Sequence, residues 1–513
     1  MKKLPIGISN LKEIAENNYS YADKTKYIKQ LADNGKYYFL SRPRRFGKSL
    51  FADTLREAFL GNKDLFKGLY LEKNWDWSQR YPVIFLSFGG GVIKSRKELD
   101  EKVEEIINEY FKVYGIKPEN NSLSGKFREL ILRTEEKFSK RVVIIVDEYD
   151  KPILDNITDK DKALDVREGL KNIYSVIKDS DAFVQFAFLT GVSKFSKVSL
   201  FSGLNNLQDI TLDKRYSDIC GYTEQELETV FQERLEGLNR EGIKKWYNGY
   251  NFSGTSVYNP FDILLFLDTK EFNNFWFETA TPAFLIEILK EKKYLIPNLE
   301  KLYATEALLG SFDIDFIELE TILFQTGYLT IKDSYYLGSR KMYELSFPNH
   351  EVKMSLTEFI LGYFISSPKI QIDSGMKLYR LIEANKIDEL KELFYAFFAS
   401  IPHDWYRKNE LSGYEGYYAS IFYCYFTSIG LDVRAEDTSN QGRLDMSVRF
   451  EDRVYIFEFK VIRLSQNKQS ALGQIKEKKY FEKFISDCKE IYLVGVEFDS
   501  ENRSITCFEW EKV

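Results

Sequence analysis

A chain of 513 residues is too long for one hydrophobic core and should divide into roughly three or four domains. With 44% hydrophobic and 29% charged residues and no low-complexity tract, extensive disorder is excluded, and a net charge of -6 argues against non-specific coating of nucleic acid while leaving room for a local basic cleft. Four scattered cysteines without a C-x-x-C pair, and His350 and His403 as the only histidines, exclude a zinc framework, a disulfide scaffold and histidine-based acid/base chemistry, so carboxylates and lysines must carry any reaction. The cysteines read as reduced thiols. "MKKLPIGISN" is followed by no apolar h-region, and no apolar run of about 18 residues occurs, so a cytoplasmic location without membrane spanning is expected.

In chain order, "KYYFL", "YPVIFLSF", "RVVIIVDEYD" and "AFVQFAFLTG" are candidate strands. Their continuous apolar character suits a parallel sheet covered on both faces. Between them, "SRKELDEKVEEIINEYFKVYG" and "SGKFRELILRTEEKFSKR" have helical periodicity, so residues 1–215 read as an α/β domain. Beyond it the strand signals thin out: the Thr223 to Glu226 spacing fits a capping box, opening a helical lid over 216–300. Residues 301–395 read as winged-helix-like, because "TILFQTGYLTIKDSYYLGSRKMYELSFPNHEVKMSLTEFIL" gives helix, two strands and helix. Such units bind DNA in some proteins and only pack in others. From 400 to 513 an aromatic-rich helix precedes the strands "GRLDMSVRF", "DRVYIFEFK" and "EIYLVGVEF", a separate α/β domain.

"FLSRPRRFGKSLFADTLREAF" places Gly47, Lys48 and Ser49 between a strand and a helix, the setting of a phosphate-binding loop. There backbone N–H groups face the phosphates, the lysine supplies charge and the hydroxyl reaches Mg²⁺. The general G-x-x-x-x-G-K-[ST] pattern is broken only at its first position, by Arg42. The loop's candidate ligands are Arg44, Arg45, Phe46, Gly47, Lys48, Ser49 and Leu50. Asp147 and Glu148 end an apolar strand roughly 100 residues downstream, at the sheet's carboxyl edge. Asp147 can hold Mg²⁺ and Glu148 can orient an attacking water; the competing reading is a buried strand with a solvated acidic end. Thr190 closes another strand, as a γ-phosphate sensor or a simple strand end. Arg44 and Arg45 either add charge to the phosphates or pair with acids elsewhere.

A second constellation lies near the C-terminus. Period-two alternation puts Glu458 and Lys460 on one face, with Phe457 and Phe459 on the other, and Asp445 on the adjacent strand. Asp445 and Glu458 can bind a divalent metal, while Lys460 positions water or stabilises charge, as phosphodiester hydrolysis requires. Glu415 shares a helical stripe with Tyr418, Phe422, Tyr425 and Ile429; it either completes the metal site or caps the helix. "ALGQIKEKKYFEKF" reads as a basic helix, with Gln474 facing the site and Lys476, Lys478 and Lys479 either meeting a phosphate backbone or lining a solvated face.

The ordered blocks "YADKTKYI", "SRPRRFGKSLF", "VVIIVDEYDKPI", "FLTGVSKFSK", "ICGYTEQE", "WYNGYNF", "FQTGYLTI", "GRLDMSV", "YIFEFKV" and "ALGQIKEKKY" resemble bacterial proteins that join an N-terminal AAA-ATPase-like domain to a C-terminal PD-(D/E)XK nuclease domain. In that family Arg42 belongs to the "RPRRFGKS" form. The resemblance implies an AAA-like parallel sheet and a restriction-endonuclease-like α/β domain, with ATP and Mg²⁺ (alternatively Mn²⁺) as cofactors. It implies cleavage of nucleic acid, DNA before RNA, in mobile-element or defence biology. It places no arginine finger, and homo-oligomerisation stays open. The alternative from another class is a nucleotide-switched DNA- or protein-binding regulator that cleaves nothing.

Overall fold

The apolar runs of the N-terminal third form a five-stranded sheet: β1 (Tyr37–Ser41), β2 (Val83–Ser87), β3 (Val142–Asp147), β4 (Val184–Gly191) and β5 (Gln208–Asp209). The order is β2-β3-β4-β1-β5 and every pairing is parallel. All side chains of β1 and β3 are buried, as strands covered on both faces must be. The structure is a computed structural model. It describes residues 1–194, 206–276, 295–310, 318–364, 368–400, 415–439, 442–462, 470–499 and 504–513. Two compact units divide the chain: Met1–Ala280 with Tyr303–Asn349, and Thr281–Leu302 with His350–Val513.

In the first unit, helices Arg96–Val113 and Leu123–Phe138 occupy the stretches whose periodicity predicts them, each opened by a serine cap, Ser95 and Ser122. A helix over Lys160–Asp179, capped by Asp159, and the short β5 were not read from the sequence. Helix Lys48–Leu60 follows the phosphate-loop segment and packs on β2, β3 and β4. The expected capping box is present: the Thr223 hydroxyl accepts from the N–H of Glu226 at 3.1 Å, and the Glu226 carboxylate accepts from the N–H of Thr223 at 2.9 Å. Helix Leu319–Thr326 and the antiparallel strands Thr330–Leu337 and Arg340–Ser346 follow in the order read from the sequence. The next helix, His350–Phe364, belongs to the second unit.

The second unit carries a mixed sheet: β6 (Asp432–Ser439), β7 (Gly442–Phe450), β8 (Arg453–Ile462), β9 (Glu490–Asp499) and β10 (Ile505–Lys512), in that order. Only β8 and β9 run parallel. Helix Glu415–Ser428 covers one face, its Phe422 ring lying 6.0 Å from Phe457 and 4.9 Å from Phe459. On the opposite face Ile456 and Val454 pack with Ile475 of helix Ala471–Lys478 and with Tyr480. The basic stretch 471–484 is therefore not one helix: Lys479 adopts the left-handed conformation (φ 46°), and a 3₁₀ turn, Tyr480–Phe484, tucks two aromatic rings into the core.

Helix Ala471–Lys478 approaches the sheet closely because Gly495, paired with Glu458 in the β8/β9 register, has no side chain. A Cβ there would lie 2.4 Å from the backbone nitrogen of Leu472, too close for either backbone to stay in place. Gly495→Ala should lower the unfolding free energy of this unit by roughly 2–4 kcal/mol in a denaturant titration. An unchanged midpoint would show that the helix does not sit this close.

Candidate functional site

In the first unit the phosphate-loop segment runs from the end of β1 to the helix starting at Lys48. Gly47 takes φ 87° and Arg45 φ 64°, so the chain turns through two left-handed residues before entering the helix. Lys48 is buried, and its Nζ donates to the carbonyls of Arg42 at 3.0 Å and Pro43 at 2.8 Å. Burial lowers its pKa, while Asp147, Glu148 and Asp150 act in the opposite sense. Arg44, Arg45, Phe46, Gly47, Lys48, Ser49, Leu50 and Glu148 all line a cavity of about 420 Å³, bordered elsewhere by Pro5, Ile8, Tyr21, Cys220 and Phe261. Arg45 stacks 3.8 Å over the Phe261 ring. The Phe46 side chain turns away into an aromatic cluster, 4.8 Å from Tyr250.

Asp147, the last residue of β3, and Thr190, the penultimate residue of the neighbouring β4, are buried; neither is on the cavity wall. Burial raises the Asp147 pKa, while the Ser49 hydroxyl and the Lys48 ammonium pull it back. Among the described residues, Oδ1 of Asp147 and Oγ1 of Thr190 have no hydrogen-bond partner. A buried carboxylate oxygen lacking a donor, with a serine hydroxyl and a lysine beside it, fits a hard cation such as Mg²⁺. Glu148 holds φ 54°, and its carboxylate lies 3.3 Å from the position a Cβ on Gly89 would take, so Gly89 leaves it room.

Two residues of this region were missed as such in the sequence. Asp150 is fully buried and accepts from the N–H groups of Val192 and Ser193 and from the Ser193 hydroxyl, tying the acidic turn after β3 to the end of β4. Its three-residue offset from Asp147 in "DEYD" is the only hint the sequence offers. Arg42 is the other. Its guanidinium is wholly buried, donates to the carbonyls of Ser41 and Thr211 at 2.8 Å and of Tyr216 at 3.0 Å, and stacks 4.0 Å over Phe252. Burial lowers its pKa to about 10. The arginine therefore faces away from the cavity and fastens the loop to 211–217, after which Gly221 donates its N–H to the Phe46 carbonyl at 3.2 Å.

In the second unit the β7/β8 register sets Met446 opposite Phe457, which brings Asp445 and Glu458 to adjoining positions at one end of the strand pair. Oδ2 of Asp445 accepts from the Phe459 N–H at 2.8 Å. The Gln474 amide donates to the Glu458 carboxylate from the helix above Gly495. Lys460 donates to the Ser470 carbonyl at 3.4 Å, next to that helix's N-terminus. Tyr480, absent from the sequence reading, has its pKa raised by burial and by the charges of Glu458 and Asp445, with Gln474 lowering it. The carboxylates, amide and phenol thus share one neighbourhood. Glu415 begins helix Glu415–Ser428, but its side chain lies outside what is described; Tyr418, Phe422 and Tyr425 of its predicted stripe are buried. Lys476 is engaged with Glu511, and Lys479 lies 3.8 Å from Glu482, while Lys478 is exposed.

No group of three or more His, Cys, Asp or Glu residues able to hold a metal occurs among the described residues. Two carboxylates without a soft ligand suit an ion that keeps waters and substrate oxygens in its other positions, which is the habit of Mg²⁺.

The fold and the two clusters define a two-part protein, a phosphate-loop α/β unit followed by a mixed-sheet unit of nuclease type. A family model described as "Predicted AAA-ATPase" matches residues 5–201, and one described as "PD-(D/E)XK nuclease superfamily" matches residues 413–508. The chain is 51% identical over 513 residues to the "Uncharacterized protein in vnfD 5'region" of Azotobacter chroococcum mcd 1, covering 100% of this chain and 99% of the relative. It belongs to the family of proteins that join an AAA-ATPase-like domain to a PD-(D/E)XK nuclease superfamily domain. No helix among the described residues is long and apolar enough to cross a membrane.

If Arg42 is a fastener and not a ligand, Arg42→Ala should strand three buried carbonyls and cost about 3 kcal/mol in the unfolding free energy of the first unit. Arg42→Lys should not restore it, since one ammonium cannot reproduce the planar fork. Full stability with lysine, measured by denaturant titration, would contradict the assignment.

Proposed function

We propose that this chain is a metal-dependent nuclease acting on nucleic acid, most directly DNA, whose access to substrate is governed by ATP binding or hydrolysis in the first unit. The observation that carries the reading is the convergence of Asp445, Glu458, Gln474 and Lys460 at one end of β7 and β8. Asp445 and Glu458 would hold Mg²⁺ or Mn²⁺, and the bound ion supplies neutralisation of the scissile phosphate and a more acidic water. The chain's own contribution is orientation. The Phe459 N–H fixes the Asp445 carboxylate, Gln474 fixes that of Glu458, and the Lys460 ammonium shares a strand face with Glu458, where it can stabilise charge on the phosphate. Tyr480, its pKa raised by burial and by the charges of Glu458 and Asp445, keeps its proton beside the cluster.

In the first unit, Lys48 would exchange its two carbonyl partners for phosphate oxygens. Ser49 and Asp147 would hold Mg²⁺, Thr190 would sense the γ-phosphate, and Glu148, on the cavity wall, would orient the attacking water.

Plasmid cleavage with Mg²⁺ should fall by about 100-fold or more in Asp445→Ala and Lys460→Ala and cease with a chelator. Equal cleavage by all three proteins would remove the assignment of the second unit. For the first unit, ATP binding measured by calorimetry should be lost in Lys48→Ala and retained in Glu148→Gln, with turnover lost in both. Turnover persisting in Glu148→Gln would exclude that residue as the water-orienting group.

A further inference from the structure

The sheet face that holds Glu458 and Lys460 carries a further acid that the cleavage reading leaves unused. The β8/β9 register sets Gly495 beside Glu458 and Glu497 beside Lys460, and alternation turns all four toward helix Ala471–Lys478. The β9/β10 pairing shifts register between Glu497 and Phe498, an irregularity of the kind that re-aims a side chain. Half-buried there, Glu497 accepts from the N–H of Ala471, the first residue of the helix, at 2.9 Å.

The Lys460 ammonium donates to the Ser470 carbonyl at 3.4 Å. That carbonyl and the Ala471 N–H belong to one peptide group, so Lys460 and Glu497, neighbours across β8 and β9, grip a single rigid plane from its two edges. The Ser470 carbonyl also accepts from the Gln474 N–H at 3.0 Å, and the Gln474 side-chain amide donates to the Glu458 carboxylate. A closed path thus runs from Glu497 through the 470–471 peptide and Gln474 to Glu458, and back across the strand pair. The helix has a cap of its own, since the Ser470 hydroxyl accepts from the Gly473 N–H at 3.1 Å. Glu497 therefore adds placement to a helix start that is already capped.

We infer that Glu497 is a positioning residue for the metal pair: through the 470–471 peptide and Gln474 it sets where the Glu458 carboxylate points. The inference rests on the nuclease reading above and adds to it a residue from β9. Lys460 and Glu497 divide the task between them. When the Lys460 ammonium turns to a phosphate oxygen it gives up the Ser470 carbonyl, while the Glu497 contact to Ala471 still ties the helix to the sheet. A carboxylate that is to hold a cation needs support of this kind, because its orientation decides how tightly the ion is held.

The test uses the full-length chain without nucleotide or nucleic acid and reads Mn²⁺ binding by electron paramagnetic resonance, the binding lost in Asp445→Ala defining the second unit's site. Glu497→Ala should weaken that binding about tenfold, and Glu497→Gln, which keeps an acceptor oxygen at the same reach, should restore most of it. In a Gln474→Ala background, Glu497→Ala should weaken it no further, because the path is already cut. Ser470→Ala removes the helix's own cap and should leave Mn²⁺ affinity within about twofold of wild type. Should Glu497→Ala not fold, Glu497→Asp, one methylene shorter, carries the same expectation. Wild-type affinity in Glu497→Ala overturns the inference and leaves the nuclease reading standing. An equal loss in Ser470→Ala, or a further loss in the double variant, overturns it in favour of a purely structural role. A wild-type protein with no Mn²⁺ binding that depends on Asp445 overturns the nuclease reading itself.

Discussion

Keeping charge buried at the edge of a sheet is the constraint on which both clusters depend, and at Arg42, Lys48, Asp150, Asp445 and Glu458 the chain meets it with groups from its own backbone or a polar side chain. Arg42 is surrounded by carbonyls, Lys48 rests on two more, and Asp150 collects two N–H groups and a hydroxyl. In the second unit Asp445 takes the Phe459 N–H and Glu458 takes the Gln474 amide. Desolvating an ion without such partners is costly enough to displace or neutralise it. Each cluster is therefore held in position by the chain's own groups. Lys48 holds carbonyls that phosphate oxygens can replace.

The two units reach this arrangement by different topologies. In the first, parallel strands deliver their carboxyl ends to one edge, so β1, β3 and β4 present the loop, the acidic pair and Thr190 side by side although they are far apart in sequence. In the second, an antiparallel pair sets Asp445 near Glu458, and a parallel neighbour, β9, supplies Gly495, over which the Gln474 helix can settle. The phenylalanines that alternate with Glu458 and Lys460 anchor the opposite face to Phe422.

The four long strands of the first sheet were legible because strands buried on both faces must be continuously apolar. The Glu458/Lys460 face was legible because period-two alternation is strict in a strand with different coverings on its two sides. β5 was not legible, since two residues carry no period, and neither were the outer strands β6 and β10, where polar and charged residues interrupt the pattern. "KEKKYFEKF" misleads as a helix because its lysines fit a solvated face; the break at Lys479 comes from burying Tyr480 and Phe484, a tertiary demand with no local signature. Arg42 stands out in the sequence as a departure from glycine, yet its partners at 211–217 lie too far along the chain for spacing to indicate them. Gly495 is a lone glycine in an apolar strand, a known sign of close backbone approach, though not of what approaches.

Two separate clusters of oxygen ligands on this chain are proposed to hold a magnesium-type ion each. Anomalous diffraction from crystals grown with Mn²⁺ and a non-hydrolysable ATP analogue tests this directly. Two peaks are expected, one between Asp445 and Glu458 and one beside Ser49 and Asp147; a map with no peak at the Asp445–Glu458 pair would rule out metal binding by that pair.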